Sequence, residues 1–272
     1  MKQEKKIRLL VRADDAGSSL ASNIGCLKAC IGGIATSIEV MSPGGWVEHL
    51  AHCLGRLPDI DVGIHLTLTS EWDNIKWRPL TAAPSLVGKD GYFRPLLLPR
   101  HLDNRPNLKE TMWCLDDIAQ EFRAQIAFGL KRFPQASHVS AHMIRNFEDF
   151  DPHVSALVND LCKEFGLMND PMGNAITRFD GYPKLPRDKT ARINSFVDRL
   201  ASLQEGTHIF VDHPAEASPE LAALGHEGYD DVCEDRGTCL SVLLSASVKS
   251  AIRHSDIELI TYRQLQHEAG TK

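Results

Sequence analysis

The sequence predicts a single α/β domain whose parallel strands close into a barrel. Short apolar runs bounded by turn residues alternate with longer stretches of helical periodicity along the whole chain, the pattern of βα units on a parallel sheet. The length, 272 residues, is that of one barrel. No low-complexity stretch, internal repeat or long linker divides it.

The elements follow in order. Residues 7–13 (IRLLVRA) read as a buried strand, because an uninterrupted apolar run suits a parallel sheet covered on both faces. A helix over 20–33 takes Ser18 or Ser19 as N-cap and stops at Gly32-Gly33. Residues 35–42 (ATSIEVMS) form the second strand, a helix follows near 45–55, and 61–69 (DVGIHLTLT) is a third strand with Gly63 inside it. Residues 70–107 carry Trp, Pro and Gly without clear periodicity, which predicts a long active-site loop or lid. The helix expected over 109–132 has Met112, Leu115, Ile118, Phe122 and Ile126 on its apolar face. Beyond it come a strand at 136–142, helices at 152–166 and 192–204, and a strand at 207–214. A helix at 238–253 follows, and then a strand at 257–265 that runs into a final helix.

Composition sets limits on function. A 43% hydrophobic content supports a sizeable core, and 24% charged residues suit a soluble globular protein. The net charge of −6 speaks against nucleic acid and against an anionic membrane surface as partners. No run approaches the ~20 apolar residues of a membrane span. The start, MKQEKKIRLLVRADD, lacks the roughly 7–15 apolar residues of a signal peptide. Seven cysteines without a Cys-x-x-Cys, Cys26 and Cys30 reading as buried thiols, predict a reducing, cytoplasmic protein without a disulfide framework. A homodimer through an apolar helix face is left open.

Sites in βα folds lie at the C-terminal ends of the strands. The polar residues read there are Asp14, Asp15, His65, His138, His142, Asp212 and His213. Each alone has a plainer explanation: the Asp pair as a helix cap, His65 as a satisfied core histidine, Asp212-His213-Pro214 as turn chemistry. Together they point to a divalent metal. One carboxylate and two imidazoles suit zinc or a neighbouring first-row ion, with Mg²⁺ less well matched to imidazole. Positions left open for water make such a site catalytic, and a second carboxylate beside it can take a proton from that water.

At these residues the chain resembles the YdjC-like carbohydrate deacetylases, the family that includes chitooligosaccharide deacetylase. The family's Ala-Asp-Asp-Phe-Gly is matched by RADDAG and its Gly-Ile-Val-Thr-Ser by GGIATS followed by EVM. Its Gly-x-His-x-x-Leu-Thr is matched by GIHLTLT and its Thr-His-x-Asp-x-His by SHVSAH. The closing His-Pro turn and Ser-Tyr-Arg are matched by DHPA and TYRQL, so the likeness runs in order from about residue 7 to 265. The resemblance implies a distorted (β/α) TIM-like barrel and metal ligation by Asp15, His65 and His142. It further implies Asp14 as general base, His213 as general acid, and hydrolysis of an N-acetyl group on a small amino sugar or oligosaccharide. Trp72 and Trp77 are candidates for stacking on a sugar ring, and Arg236 and Arg263 for contacting the substrate. The sequence departs from the pattern at Ala16, where the family has Phe, and at Ser140, where it has Asp. After His142, where the family often adds histidines, MIRNF follows. Two other readings are a metal-dependent phosphoesterase, for which the strand ends offer no basic cluster, and a non-catalytic carbohydrate-binding relative.

Overall fold

The computed structural model describes residues 6–172 and 176–270. In chain order the elements are β1 (Ile7–Ala16), α1 (Leu20–Ile31), β2 (Ser37–Val40), α2 (Val47–Leu54), β3 (Asp61–Leu66), α3 (Leu115–Arg132), β4 (Ala136–Ala141) and α4 (Pro152–Phe165). There follow β5 (Met168–Asn169), β6 (Thr177–Arg178), α5 (Lys189–Leu200), β7 (Gly206–Asp212), α6 (Pro219–Ala222), α7 (Val232–Leu244), α8 (Ala246–His254), β8 (Ile257–Leu259) and α9 (Tyr262–Gly270).

One all-parallel sheet runs in the order β5-β4-β3-β2-β1-β7-β6, and β8 pairs with Ile7–Leu9 at the start of β1. The sheet curls into a distorted barrel with β5 and β6 at its edges. Apolar residues on the outward face of the strands pack under the helices, with Ile64, Leu66, Val139, Phe122 and Ile126 in one cluster and Leu9, Val11, Ile38, Val40 and Phe196 in another. The inward face is a column of polar side chains with the two-residue period of a strand. Arg12 and Asp14 on β1, Glu39 on β2, His65 on β3, and His138 and Ser140 on β4 are all buried.

Ser19 caps α1, its hydroxyl accepting from Ser22 N at 3.0 Å, so the Asp14-Asp15 pair is free of that task. The expected 109–132 helix begins only at Leu115. Asn107 and Ser85 take up the backbone N–H groups of Glu110 and Cys114, and Met112 stands exposed. The 192–204 helix lies earlier, at Lys189–Leu200, because Asp188 caps it through Ala191 N. The 238–253 helix is two, broken at the extended Ser245, and the 257–265 strand ends at Leu259. The segment 70–107 is packed: Trp72, Trp77, Leu86, Phe93 and Leu97 are buried in the core. The buried carboxylate of Glu121 on α3 accepts from the N–H groups of Leu80 and Thr81. No described helix is long and apolar enough to cross a membrane.

Candidate active site

In a regular strand, adjacent side chains point to opposite faces. Asp14 and Asp15 nevertheless both line one cavity at the C-terminal ends of the strands, a space of about 690 Å³. The β1–β2 register shifts between Ala13 and Ala16, and Asp15 takes a left-handed backbone with φ 68°. This bulge turns both carboxylates inward, the kind of local strain that accumulates at functional sites. Gly17 follows with φ 89°, where an added Cβ would lie 3.0 Å from Val47 and 3.1 Å from the Met41 carbonyl.

Asp15, His65 and His142 each offer a ligand atom within 4.8 Å of the others, and all three are buried. His142 Nδ1 lies 3.3 Å from Asp15 Oδ1, and His65 Nε2 lies 3.8 Å from the same oxygen. Asp15 Oδ1 and His142 Nδ1 are buried without a hydrogen-bond partner. A buried polar atom left unpaired is costly unless something else binds it, and here two such atoms converge. The residues therefore fit a divalent metal of the borderline class that takes carboxylate and imidazole together.

The remaining atoms of the cluster are engaged. Arg236 donates to Asp15 Oδ2 at 2.8 Å. His142 Nε2 faces Glu71 Oε2 at 3.2 Å, and His65 Nδ1 meets Ser140 Oγ at 2.7 Å. Arg12 grips Asp14 with two hydrogen bonds, Nε to Oδ1 at 2.8 Å and Nη2 to Oδ2 at 2.9 Å.

Electrostatics sort the two carboxylates. Burial pushes Asp14 up to about 6 against the pull of Arg12 and His213. Burial also acts on Asp15, but Arg236, His213 and His142 outweigh it and hold that carboxyl well below the usual range. Burial, with His142 and Arg12 nearby, keeps His65 well below the usual imidazole value, and therefore neutral. For His142 burial is outweighed by Glu71 and Asp15, which bring it up to about 10. The same two carboxylates that favour a proton on this ring would attract a metal cation, which must displace that proton to bind.

His213 lies at the end of β7, with Nε2 4.0 Å from Asp15 Oδ2 and Nδ1 3.3 Å from Asp212 Oδ1. Asp212 also accepts from the His213 backbone N–H at 2.9 Å and from the Tyr182 hydroxyl at 2.5 Å. Burial works against its ionisation, but the His213 hydrogen bond and the Lys184 charge prevail and hold it low.

The structure thus brings together Asp14, Asp15, His65, His142, His213 and Arg236. The other residues read as candidates are not part of this cluster. Trp72 reaches the cavity wall, but its ring stacks with His226 and lies under Arg236, so it supports the wall. Trp77 is in the core, donating from Nε1 to the Thr69 carbonyl at 2.6 Å. Arg263 is at the opposite end of the barrel, beside Asp61 and the Gln135 carbonyl, because α9 crosses the N-terminal ends of the strands. His138 is also far from the cluster. A strand advances about 3.3 Å per residue, so two histidines four apart are about 13 Å apart and cannot share one ion.

Sequence reading missed Arg12, Glu39 and Glu71. The first two carried a signal, a charge inside an apolar strand. Glu71 follows β3 in an aperiodic segment and carried none. It also missed a ring of cations, because Arg100, Arg145, Arg178, Lys184 and Arg187 come from three loops and the end of β6 and meet only at the cavity. Several are offset by carboxylates: Arg145 by Asp149, Arg178 by Asp180, Arg187 by Asp231 and Asp235.

A family model described as YdjC-like protein matches residues 8–254. The carbohydrate deacetylase of Geobacillus stearothermophilus is 29% identical over 266 residues, which cover 94% of this chain and 96% of that protein. The chitooligosaccharide deacetylase of Klebsiella pneumoniae is 26% identical over 266 residues, 94% of this chain and 98% of its own. A crystal structure from Enterococcus faecalis V583, of a protein with a suggested role in cellobiose-phosphate cleavage, superposes with a TM-score of 0.74 at 21% identity. It covers 96% of this chain and 99% of the other.

Proposed function

The chain belongs to the YdjC-like protein family, and from that premise we propose that it is a metal-dependent deacetylase that removes an N-acetyl group from a small amino sugar or oligosaccharide. The observation that carries this reading is the convergence of two partnerless buried ligand atoms, Asp15 Oδ1 and His142 Nδ1, beside His65. The names of the similar proteins support the substrate class.

Asp15, His65 and His142 would hold one divalent ion, zinc or another first-row metal, which when bound supplies Lewis acidity to a carbonyl oxygen and to a water. Asp14 takes the proton of the attacking water. Its carboxyl, up to about 6, is matched to a base working near neutral pH. The two Arg12 hydrogen bonds fix the plane of that carboxylate while each oxygen keeps a free lone pair. His213 returns a proton to the departing amine nitrogen. Asp212 on Nδ1 turns Nε2 towards the cavity and steadies the imidazolium. Arg236 occupies Asp15 Oδ2 and thereby leaves Oδ1 as the ligand oxygen. A space of about 690 Å³ is of the size that encloses a small sugar.

Phosphoesterase chemistry with paired metals would need a second set of ligands. Among the described residues one such cluster occurs, and the cations at the cavity are largely matched by carboxylates. The test is acetate release from a panel of N-acetylated mono- and disaccharides by the metal-reconstituted protein, with a chelated control. Release that stops on chelation supports the reading. No release from any member, with metal bound, overturns it.

A further inference from the structure

His65 has two ring nitrogens, and only Nε2 faces the cluster. Its Nδ1 lies 2.7 Å from Ser140 Oγ, and the Ser140 hydroxyl donates to Glu39 Oε2 at 2.5 Å. A serine hydroxyl has one hydrogen. With that hydrogen given to Glu39, Oγ can only accept from the imidazole, so Nδ1 carries the ring proton and Nε2 presents its lone pair. Glu39 is itself held: its Oε1 accepts from the Ser37 hydroxyl and faces His138 Nε2, both at 2.8 Å.

The strand register makes room for this chain of contacts. Gly63 on β3 pairs with Glu39 on one side and with His138 on the other, while His65 pairs with Ser140 one layer higher. A Cβ at residue 63 would lie 2.1 Å from Glu39 Oε2 and 2.4 Å from His138 Nε2. The missing side chain is the space in which the carboxylate sits.

We propose that Ser140 and Glu39 are positioning residues for the metal, a relay that fixes the tautomer and ring orientation of His65 so that Nε2 is the ligand atom. A partner on the second nitrogen commonly tunes a ligating histidine. Here the carboxylate comes from a neighbouring strand and acts through a hydroxyl. The proposal rests on the metal reading above. A plainer role for the same bonds is to tie β2, β3 and β4 together.

Two measurements on the full chain separate these roles. The first is the ¹⁵N NMR signature of His65 without metal, expected to show the Nδ1–H tautomer in the wild type and a shift towards Nε2–H in Ser140→Ala. The second is the zinc Kd by competition with a chromophoric chelator. Ser140→Ala should weaken binding about 10–100-fold, whereas Ser37→Ala, which cuts a Glu39 bond off the path to His65, should stay within about threefold. Glu39→Gln should resemble Ser140→Ala. If it fails to fold because His138 loses its counter-charge, Ser140→Ala decides. An unchanged tautomer, or a Ser140→Ala Kd within about threefold of wild type, overturns the relay alone. A wild-type chain that binds neither zinc nor cobalt nor nickel overturns the metal reading and the relay with it.

Discussion

Buried charges occupy two levels inside the barrel, and the protein treats them in opposite ways. At the lower level each has a partner. Glu39 meets His138, Arg12 bridges Asp14 and Asp170, and the Tyr262 hydroxyl bonds Asp170 at 3.1 Å while its ring stacks on His138. Asp61 is bonded by the Ser137 hydroxyl and the Arg263 backbone N–H. At the upper level Asp15 Oδ1 and His142 Nδ1 converge to 3.3 Å, each buried without a hydrogen-bond partner. A fully paired polar network fixes a fold, whereas converging unpaired atoms mark a place for something the chain does not itself supply.

His138 and His142 put that contrast on one strand, and exchanging their fates would break it. His142→Gln should lower acetate release to the limit of detection and abolish tight metal binding, with a smaller fall in melting temperature than His138→Gln. Asp14→Asn, which removes the base but none of the three ligands, should cut kcat about 10²–10⁴-fold and leave the metal Kd within about threefold. If Asp14→Asn turned over at the wild-type rate, the assignment of Asp14 would be wrong.

His138→Gln tests the lower level. It leaves a buried carboxylate without its counter-charge, so it should cost about 3–5 kcal/mol of stability in urea unfolding. The pH dependence sharpens this. Burial opposes both charges, yet the partners hold Glu39 well below the usual carboxylate range and raise His138 above the usual imidazole value. A lowered Glu39 contributes stability that is present above about pH 4.5 and lost as pH falls through its folded value. A raised His138 contributes stability that is present below about pH 6.5 and lost as pH rises through its folded value. The stability difference between wild type and His138→Gln should therefore be largest between about pH 4.5 and 6.5 and shrink on either side. A difference independent of pH would mean the pair is not ionised.

The alternation of strands and helices, and with it the barrel, was legible because it rests on local periodicity and turn residues. The gathering of Asp14, Asp15, His65, His142 and His213 was legible because parallel strands deliver their C-terminal ends to one place. Three kinds of information were not. Whether His138 or His142 faces the cluster depends on depth within the barrel, and both obey the same two-residue period. The departure at Ser140, where the family has Asp, does not reveal that Glu39 stands behind that serine from the neighbouring strand. The cations at the cavity come mostly from loops, whose meeting point no periodicity encodes.

Arg263 gives the smallest effect and the most direct check on which end of the barrel matters. The TYRQL motif that carries it is part of the family likeness, which invites a substrate role. Its guanidinium instead lies 3.9 Å from Asp61 and 3.4 Å from the Gln135 carbonyl, half-exposed beneath the N-terminal ends of the strands. The neighbouring Tyr262 is the fully buried member of the motif, closing the lower network through Asp170 and His138. Arg263→Ala should therefore leave kcat/KM unchanged and cost at most about 1 kcal/mol in stability, the range of an exposed ion pair. Tyr262→Phe, by contrast, takes a hydrogen bond from a buried carboxylate, and should cost about 1–3 kcal/mol with the metal Kd unaltered. A tenfold or greater loss of kcat/KM in Arg263→Ala with stability intact would show that the lower end of the barrel communicates with the reaction, and the separation of the two levels would fail.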